Sequence, residues 1–320
     1  MRRLEAVIER LAQRLLQGMN PPVSLLLGDA IVGLVKIERC AFHGHGLACL
    51  ECFGPGSARA ERKPDDGADL GRGAGDESTG EMGVAVQSHW FSVGSIVTWA
   101  EAGVGAIATQ SFVDPAYGPR GLQLMKSGLN AGQALKALVE VDGGRDFRQV
   151  AFVDTNGKVS AHTGAKCIES AGQHVGKGYS VQANMMLNDK VVPAMAKAYE
   201  SADGDLADRL MAALEAAQSV GGDIRGKQSA AILIVKGEST GQPWTDRVLE
   251  LRIEDHPDPL VELRRLLNVH RAYEHMNAGD VAVEEGELER AMRSYAAAAE
   301  LLPESVEVQY WAAVTLATTG

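Results

Sequence analysis

Met82-Gly-Val-Ala-Val-Gln-Ser88, Gly94-Ser-Ile-Val-Thr-Trp99 and Gly103-Val-Gly-Ala-Ile-Ala-Thr-Gln110 follow one another closely. Each run is short, bounded by Gly and rich in Val and Ile, the character of a strand. The connections between them are far shorter than the dozen or so residues a parallel crossover takes. These runs therefore predict closely connected antiparallel strands.

The rest of the chain extends that pattern. Helices are expected near Pro119–Lys126 and over Ala131–Val141. Gln149–Asp154 and Lys158–His162 form a hairpin around Asn156-Gly157, a strong turn signal. A strand leads into Tyr179–Asn184, followed by helices over Val191–Ser201 and Leu206–Ser219 and strands over Ser229–Lys236 and Arg247–Ile253. Strands, helices, strands, helices, strands is the order of an α+β protein with antiparallel sheets layered by helices, not of βαβ alternation. From Asp255 onward the chain carries 12 acidic residues against 5 basic ones and reads as helical. Pro257 to Met276 is expected as one helix. Gly279, Gly286, Ala291, Tyr295, Ala298, Leu301 and Pro303 then give the small-and-large spacing of a tetratricopeptide-like hairpin, with a further helix over Val306–Ala317. One such repeat cannot bury its own face, so it must dock on the main domain or on a partner.

The whole chain has 320 residues, 31 Lys plus Arg against 42 Asp plus Glu, and a formal charge of −11. That balance disfavours a phosphate backbone as ligand, so nucleic acid is excluded as a partner. No apolar run approaches the roughly 20 residues of a membrane helix. Glu5, Glu9, Arg10 and Arg14 stand where a secretory signal would be apolar, so a cytoplasmic location is expected.

Residues 1–75 differ from the rest. Leu4, Val7, Ile8, Leu11 and Leu15 have helical spacing, but Gly54 to Gly75 offers almost nothing to bury and should pack poorly. His43, His45, Cys49 and Cys52, with Cys40 nearby, are zinc-ligand types, yet they lack a second ligand pair, so no metal is expected. Gly71-Arg-Gly73 follows no strand and opens no helix, no Gly-Lys-Ser/Thr phosphate loop is present, and no cofactor is implied. A Gly-x-Ser-x-Gly elbow is absent too.

Polar residues at strand ends are the stronger functional candidates, because loops on a rigid scaffold carry function. Gln87-Ser-His89 ends one strand and Thr109-Gln110 another. Asn184 follows Tyr179–Ala183, and Gly222-Asp-Ile-Arg-Gly-Lys-Gln-Ser229 precedes an apolar strand. Asp223 and Arg225 could equally pair with each other, and Ser229 could serve only as a turn or cap.

Gly83–Ser88, Ala102–Gln110, Ala161-His-Thr-Gly164, Val181-Gln-Ala-Asn184 and Gly221–Ala231 also resemble blocks of the uncharacterised family catalogued as domain of unknown function 1028. Its members are grouped with the N-terminal nucleophile (Ntn) hydrolases. The resemblance runs from about Asp76 to the C terminus. It implies a four-layer αββα sandwich of the Ntn type carrying the C-terminal helical hairpin, over residues 76–254 and 255–320. It also implies hydrolysis of an amide bond in a small-molecule or peptide-like substrate. Such enzymes use a terminal Thr, Ser or Cys whose own α-amine is the base. The family's first strand, similar to Thr-Phe/Tyr-Ser-Ile/Val-Val-Ala-Arg-Asp, should begin near position 69, where this chain has Asp69-Leu-Gly-Arg-Gly-Ala-Gly75. Codons for that segment, read one base later, can spell Ser-Val-Val-Ala-Arg, so residues 1–75 are compatible with out-of-frame translation. The chain as given is then expected to be inactive. Ser88, Thr109 and Gln110 should lie nearest the nucleophile's position, with Asn184, Asp223, Arg225 and Ser229 lining the same cleft as substrate-binding candidates. The rival reading is a non-catalytic scaffolding protein that binds a ligand or cell-wall fragment and contacts a protein partner, or a second copy, through its helical tail.

Overall fold

The computed structural model describes the backbone of residues 50–55 and 79–319 and the side chains of residues 79–316. The chain divides into two compact units between Gly44 and His45, and all described residues lie in the second. The helix expected over Leu4–Leu16 and the His43/His45/Cys49 cluster fall outside them, as does the side chain of Cys52. In chain order the strands are β1 (Leu50–Pro55), β2 (Met82–Ser88), β3 (Thr98–Glu101), β4 (Gly105–Ser111), β5 (Arg148–Asp154), β6 (Val159–Thr163), β7 (Gly172–Gly176), β8 (Tyr179–Ala183), β9 (Ser229–Val235) and β10 (Arg247–Ile253). The helices are α1 (Gly94–Val97), α2 (Tyr117–Lys126), α3 (Ala131–Val141), α4 (Val191–Ser201), α5 (Leu206–Ser219), α6 (Pro259–Glu284), α7 (Leu288–Leu301) and α8 (Val306–Thr319).

Two sheets result, one of six strands in the order β10-β9-β2-β1-β8-β7 and one of four in the order β3-β4-β5-β6. Every pairing is antiparallel, as the short connections require. Strand alternation sorts the core. Met82, Val84 and Val86 of β2 and Ala231, Leu233 and Val235 of β9 meet Ala106, Ala108, Ala151 and Val153 of the other sheet. Their neighbours Ala85, Ala230, Ile232 and Ile234 face the other way, onto α4 and α5. On the four-stranded sheet, Ile107, Val150 and Phe152 pack against α2 and α3.

Three departures from the sequence reading have physical causes. Gly94 to Val97 is a helical turn rather than part of a strand. Val93 and Val97, four residues apart, both reach the inter-sheet cluster while Ser95 stays exposed, which a strand's period of two would forbid. The second departure is β1, a strand in a segment where the sequence pattern indicated none. It is hydrogen-bonded on both sides, to β2 and to β8. The third is α6, which runs on through Gly279 to Glu284 instead of stopping near Met276. A Cβ at Gly279 would lie 2.4 Å from the Tyr295 ring, so its lack of one lets α7 approach there. The Asn156-Gly157 hairpin forms as expected, with Gly157 at φ +70°.

α6 belongs to two clusters at once. Leu260, Leu263 and Leu267 enter the cluster built on α4, α5 and the six-stranded sheet. Ala272, Met276 and Ala282 pack instead with Ala291, Tyr295, Ala298 and Val308 of α7 and α8. Ion pairs fix the first half: Arg264 reaches Asp208 at 2.9 Å and Glu215 at 3.0 Å, and Arg271 reaches Asp205 and Asp208 at 2.7 Å each.

Candidate active site

The apolar layer between the sheets gives way to polar side chains at one end. By the same alternation that directs Val84 and Val86 inward, Ser88 ends β2 facing the inter-sheet space and Ser229 begins β9 there. Gln110 and Gln149 do the same on β4 and β5. All four are buried, at 1% exposure or less. Gln149 is the hub. Its Oε1 accepts from Gln110 Nε2 at 2.6 Å and from Asn184 Nδ2 at 3.0 Å. The two N–H groups of its Nε2 are shared among three acceptors, Thr163 Oγ1 at 2.9 Å, Ala183 O at 3.0 Å and Gly172 O at 3.1 Å. One amide thereby ties the four-stranded sheet to β7 and β8 of the six-stranded one.

The head of β1 lies beside this network. Leu50 pairs with Gln87 of β2 on one side and with Ala183 of β8 on the other, so Asn184 is the next residue beyond that pairing. Two buried amide oxygens here, Asn184 Oδ1 and Gln87 Oε1, accept no hydrogen bond among the described residues, although the nitrogen of each amide donates one, to Gln149 and to Gln218. Buried acceptors left bare are uncommon and costly. The backbone is also strained on both sides: Ser111, ending β4, has φ 67°, and Met185, following Asn184, has φ 59°. Non-glycine residues held in this region tend to cluster at functional sites.

The seven residues singled out from sequence do not all converge. Ser88, Gln110, Asn184 and Ser229 lie at this end of the inter-sheet space. Thr109 does not, because alternation turns it to the opposite face of β4 from Gln110, where its hydroxyl donates to Asp114 O at 3.2 Å. Asp223 is 4% exposed and pairs with Arg225 at 2.7 Å; it also accepts the His89 backbone N–H at 3.3 Å, closing the loop over the end of β2. Ser229 Oγ donates to Trp90 O at 2.5 Å and accepts from Val93 N at 3.2 Å, so it shapes the turn after β2. Gln149 was missed, and Gln87 was noted at its strand end but not carried into the candidate set. Each is a polar residue in an apolar strand, and only the strand register shows what it faces. Burial pushes the Cys167 thiol up, and its Sγ donates to Arg148 O at 3.3 Å, the behaviour of an inert protonated thiol.

A nearby ionic cluster has a structural task. Asp142 accepts from Arg148 Nε at 2.9 Å and from the Tyr117 hydroxyl at 3.0 Å. Burial raises this carboxyl, but Arg148, the Gly144 N–H and Tyr117 outweigh that and hold it below the ordinary range. No group of three or more His, Cys, Asp or Glu side chains able to hold a metal occurs among the described residues. No helix there is long and apolar enough to cross a membrane.

The class is thus an α+β protein of two facing antiparallel sheets with outer helices and a buried amide cluster at one end. A family model described as a family of unknown function, DUF1028, matches residues 73–263, and the chain belongs to that family. The match ends within α6, short of the C terminus to which the resemblance was expected to run. Among solved structures, the chain is similar to protein SPO2555 from Silicibacter pomeroyi, described under the same family. That likeness has a TM-score of 0.56 and 25% identity over 69% of this chain and 88% of the other. No curated protein matches.

Proposed function

We propose that this protein has the αββα scaffold of an Ntn-type amidohydrolase, with its reaction centre at the head of β1. The observation that carries the reading is the bare, buried oxygen of Asn184 beside that position. An α-amine heading the strand, or the N–H of an amide substrate, is the donor such an acceptor lacks. In the reaction, the hydroxyl of a terminal Thr attacks the amide carbonyl and passes its proton to its own α-amine. Collapse of the tetrahedral adduct expels the amine product, which takes that proton. Water then hydrolyses the ester and restores the Thr. Donors near the adduct's oxygen would lower the barrier. Leu50 heads β1 here and brings no nucleophile, so the chain with this strand is not competent for acyl transfer.

The test is repair. Thr-Phe-Ser-Ile-Val-Ala-Arg placed immediately before Asp76, in a chain that starts at that Thr so that its amine is free, should fill the slot between β2 and β8 that Leu50–Pro55 occupies here. A β-lactone probe should then label the Thr version and neither the unaltered chain nor an otherwise identical Ala version. Equal labelling of the Ala version overturns the reading and leaves a non-catalytic ligand-binding scaffold in its place. For the tail we propose a tetratricopeptide-like hairpin of α6 and α7 extended by α8. Its small residues Ala291 and Ala298 are fully buried at the helix contact, in keeping with that motif.

A further inference from the structure

The outer half of the tail holds a groove that amide hydrolysis does not use. Tyr273, Asn277 and Asp280 of α6 face Glu307, Val308 and Trp311 of α8 across a cavity of about 190 Å³. That is smaller than the roughly 300–1,000 Å³ of a drug-sized ligand site and suits one long side chain. Both aromatic walls are open to solvent, Tyr273 at 43% exposure and Trp311 at 52%. The acidic groups are held in place by neutral donors, the Tyr295 hydroxyl to Asp280 at 2.7 Å and the Tyr273 hydroxyl to Glu307 at 3.2 Å.

Among the described residues, neither carboxylate forms an ion pair, because the tail's cations are engaged elsewhere. Arg264 and Arg271 bind α5, Arg265 binds Glu262, Arg290 binds Glu285 and Glu287, and Arg293 approaches Glu289. From Ala272 to the C terminus the sequence has nine acidic residues against two basic ones. Aromatic faces attract cations, and unpaired carboxylates form the stronger, charge-assisted hydrogen bonds with them. A second copy of a chain carrying −11 is a poor occupant.

We infer that this groove docks an arginine- or lysine-bearing segment of a partner protein. The inference rests on the geometry of α6 and α8 and is independent of the amide-hydrolysis reading. It is tested on the full chain by fluorescence anisotropy with a labelled Gly-Arg-Gly-Gly-Arg-Gly-Gly-Arg-Gly peptide and its citrulline counterpart, which keeps the shape and loses the charge. The arginine peptide should bind about tenfold more tightly than the citrulline one, and less so as salt rises past about 0.15 M. Trp311→Ala and Glu307→Gln should each weaken binding about fivefold, while Trp311→Phe retains most of it. The double variant Glu289→Gln with Glu300→Gln removes two charges that do not line the groove and should change little. Binding unaltered by Trp311→Ala, a loss in the double variant as large as in Glu307→Gln, or no binding of the arginine peptide to the unaltered chain would each overturn the assignment.

Discussion

Leu263→Ala tests whether the first half of α6 is part of the main core. Leu263 is fully buried in the cluster formed by α4, α5 and the six-stranded sheet. Truncating such a leucine costs about 2–5 kcal/mol, the sum of lost transfer energy and residual cavity. A domain of this size has about 5–15 kcal/mol in all. At 2–4 °C per kcal/mol, the melting temperature should fall by roughly 4–20 °C. Urea unfolding followed by far-UV circular dichroism should show the midpoint lowered at unchanged slope. Met276→Ala changes the second cluster instead, so it should loosen α7 and α8 and leave the main transition in place.

The same logic ranks two truncations. A chain ending at Asp255 loses Leu260, Leu263 and Leu267 together, about 1.5–3 kcal/mol each on burial, and should aggregate. A chain ending at Asn277 keeps all three, along with Arg264 and Arg271, and should stay folded. A chain ending at Asp255 that remained soluble with the midpoint of the full chain would refute the shared-helix reasoning.

Acid should weaken the ion pairs that hold α6 on α5. Burial raises the Asp208 carboxyl, but Arg271 and Arg264 outweigh that and hold it below its ordinary value. Its contribution is therefore complete above the ordinary carboxylate range, near pH 4, and is lost as pH falls through the depressed folded value. Thermal midpoints from neutral to strongly acidic pH should be flat until that range, and Asp208→Asn should flatten the acid limb while lowering the neutral midpoint. Loss between pH about 8 and 6 would contradict the sign. Gly121→Ala should destabilise by about 1–3 kcal/mol, because its methyl would sit 2.4 Å from Phe152 Cζ and 2.5 Å from Ile107 Cδ1. An unchanged urea midpoint would show that this contact relaxes freely.

Where a local pattern suffices, the sequence was legible. Ala131–Val141, Val191–Ser201 and Leu206–Ser219 form helices over the expected residues, and Met82–Ser88 and Arg247–Ile253 form strands. Long-range packing decided the rest. Val93 and Val97 choose a helical turn because both must reach the same cluster. β1 carries no strand alternation that separates it from a loop, and its place comes from the two ladders on either side. The site was half legible for the same reason. Thr109 and Gln110 are adjacent polar residues of one strand, yet a pleat sends them to opposite faces, and only the identity of the inner face separates them. Gln149 gave no signal of its own until its register opposite Gln110 was known.

Asn184 supplies the sharpest test of the candidate site. Its nitrogen is held by Gln149 while its oxygen is buried and bare, and the residue that follows it is strained. A bare buried acceptor costs about 1–3 kcal/mol, and a left-handed non-glycine residue costs about as much again. Asp154, by contrast, is well satisfied, with Oδ1 accepting from Asn156 N and Lys158 N and Oδ2 from Ala131 N. If the Asn184 oxygen waits for an N–H at the head of β1, stability and function must conflict there. Asn184→Leu in the unaltered chain removes the bare acceptor and loses one hydrogen bond, while Gln149 keeps Gln110 as a donor. The two effects are of similar size, so the urea midpoint should stay level or rise, unlike the fall expected on deleting a satisfied buried amide. In the repaired chain the same substitution should abolish probe labelling without unfolding the protein. A fall of several kcal/mol in the unaltered chain would mean that Asn184 is an ordinary structural amide. Undiminished labelling in the repaired chain would place the reaction centre elsewhere.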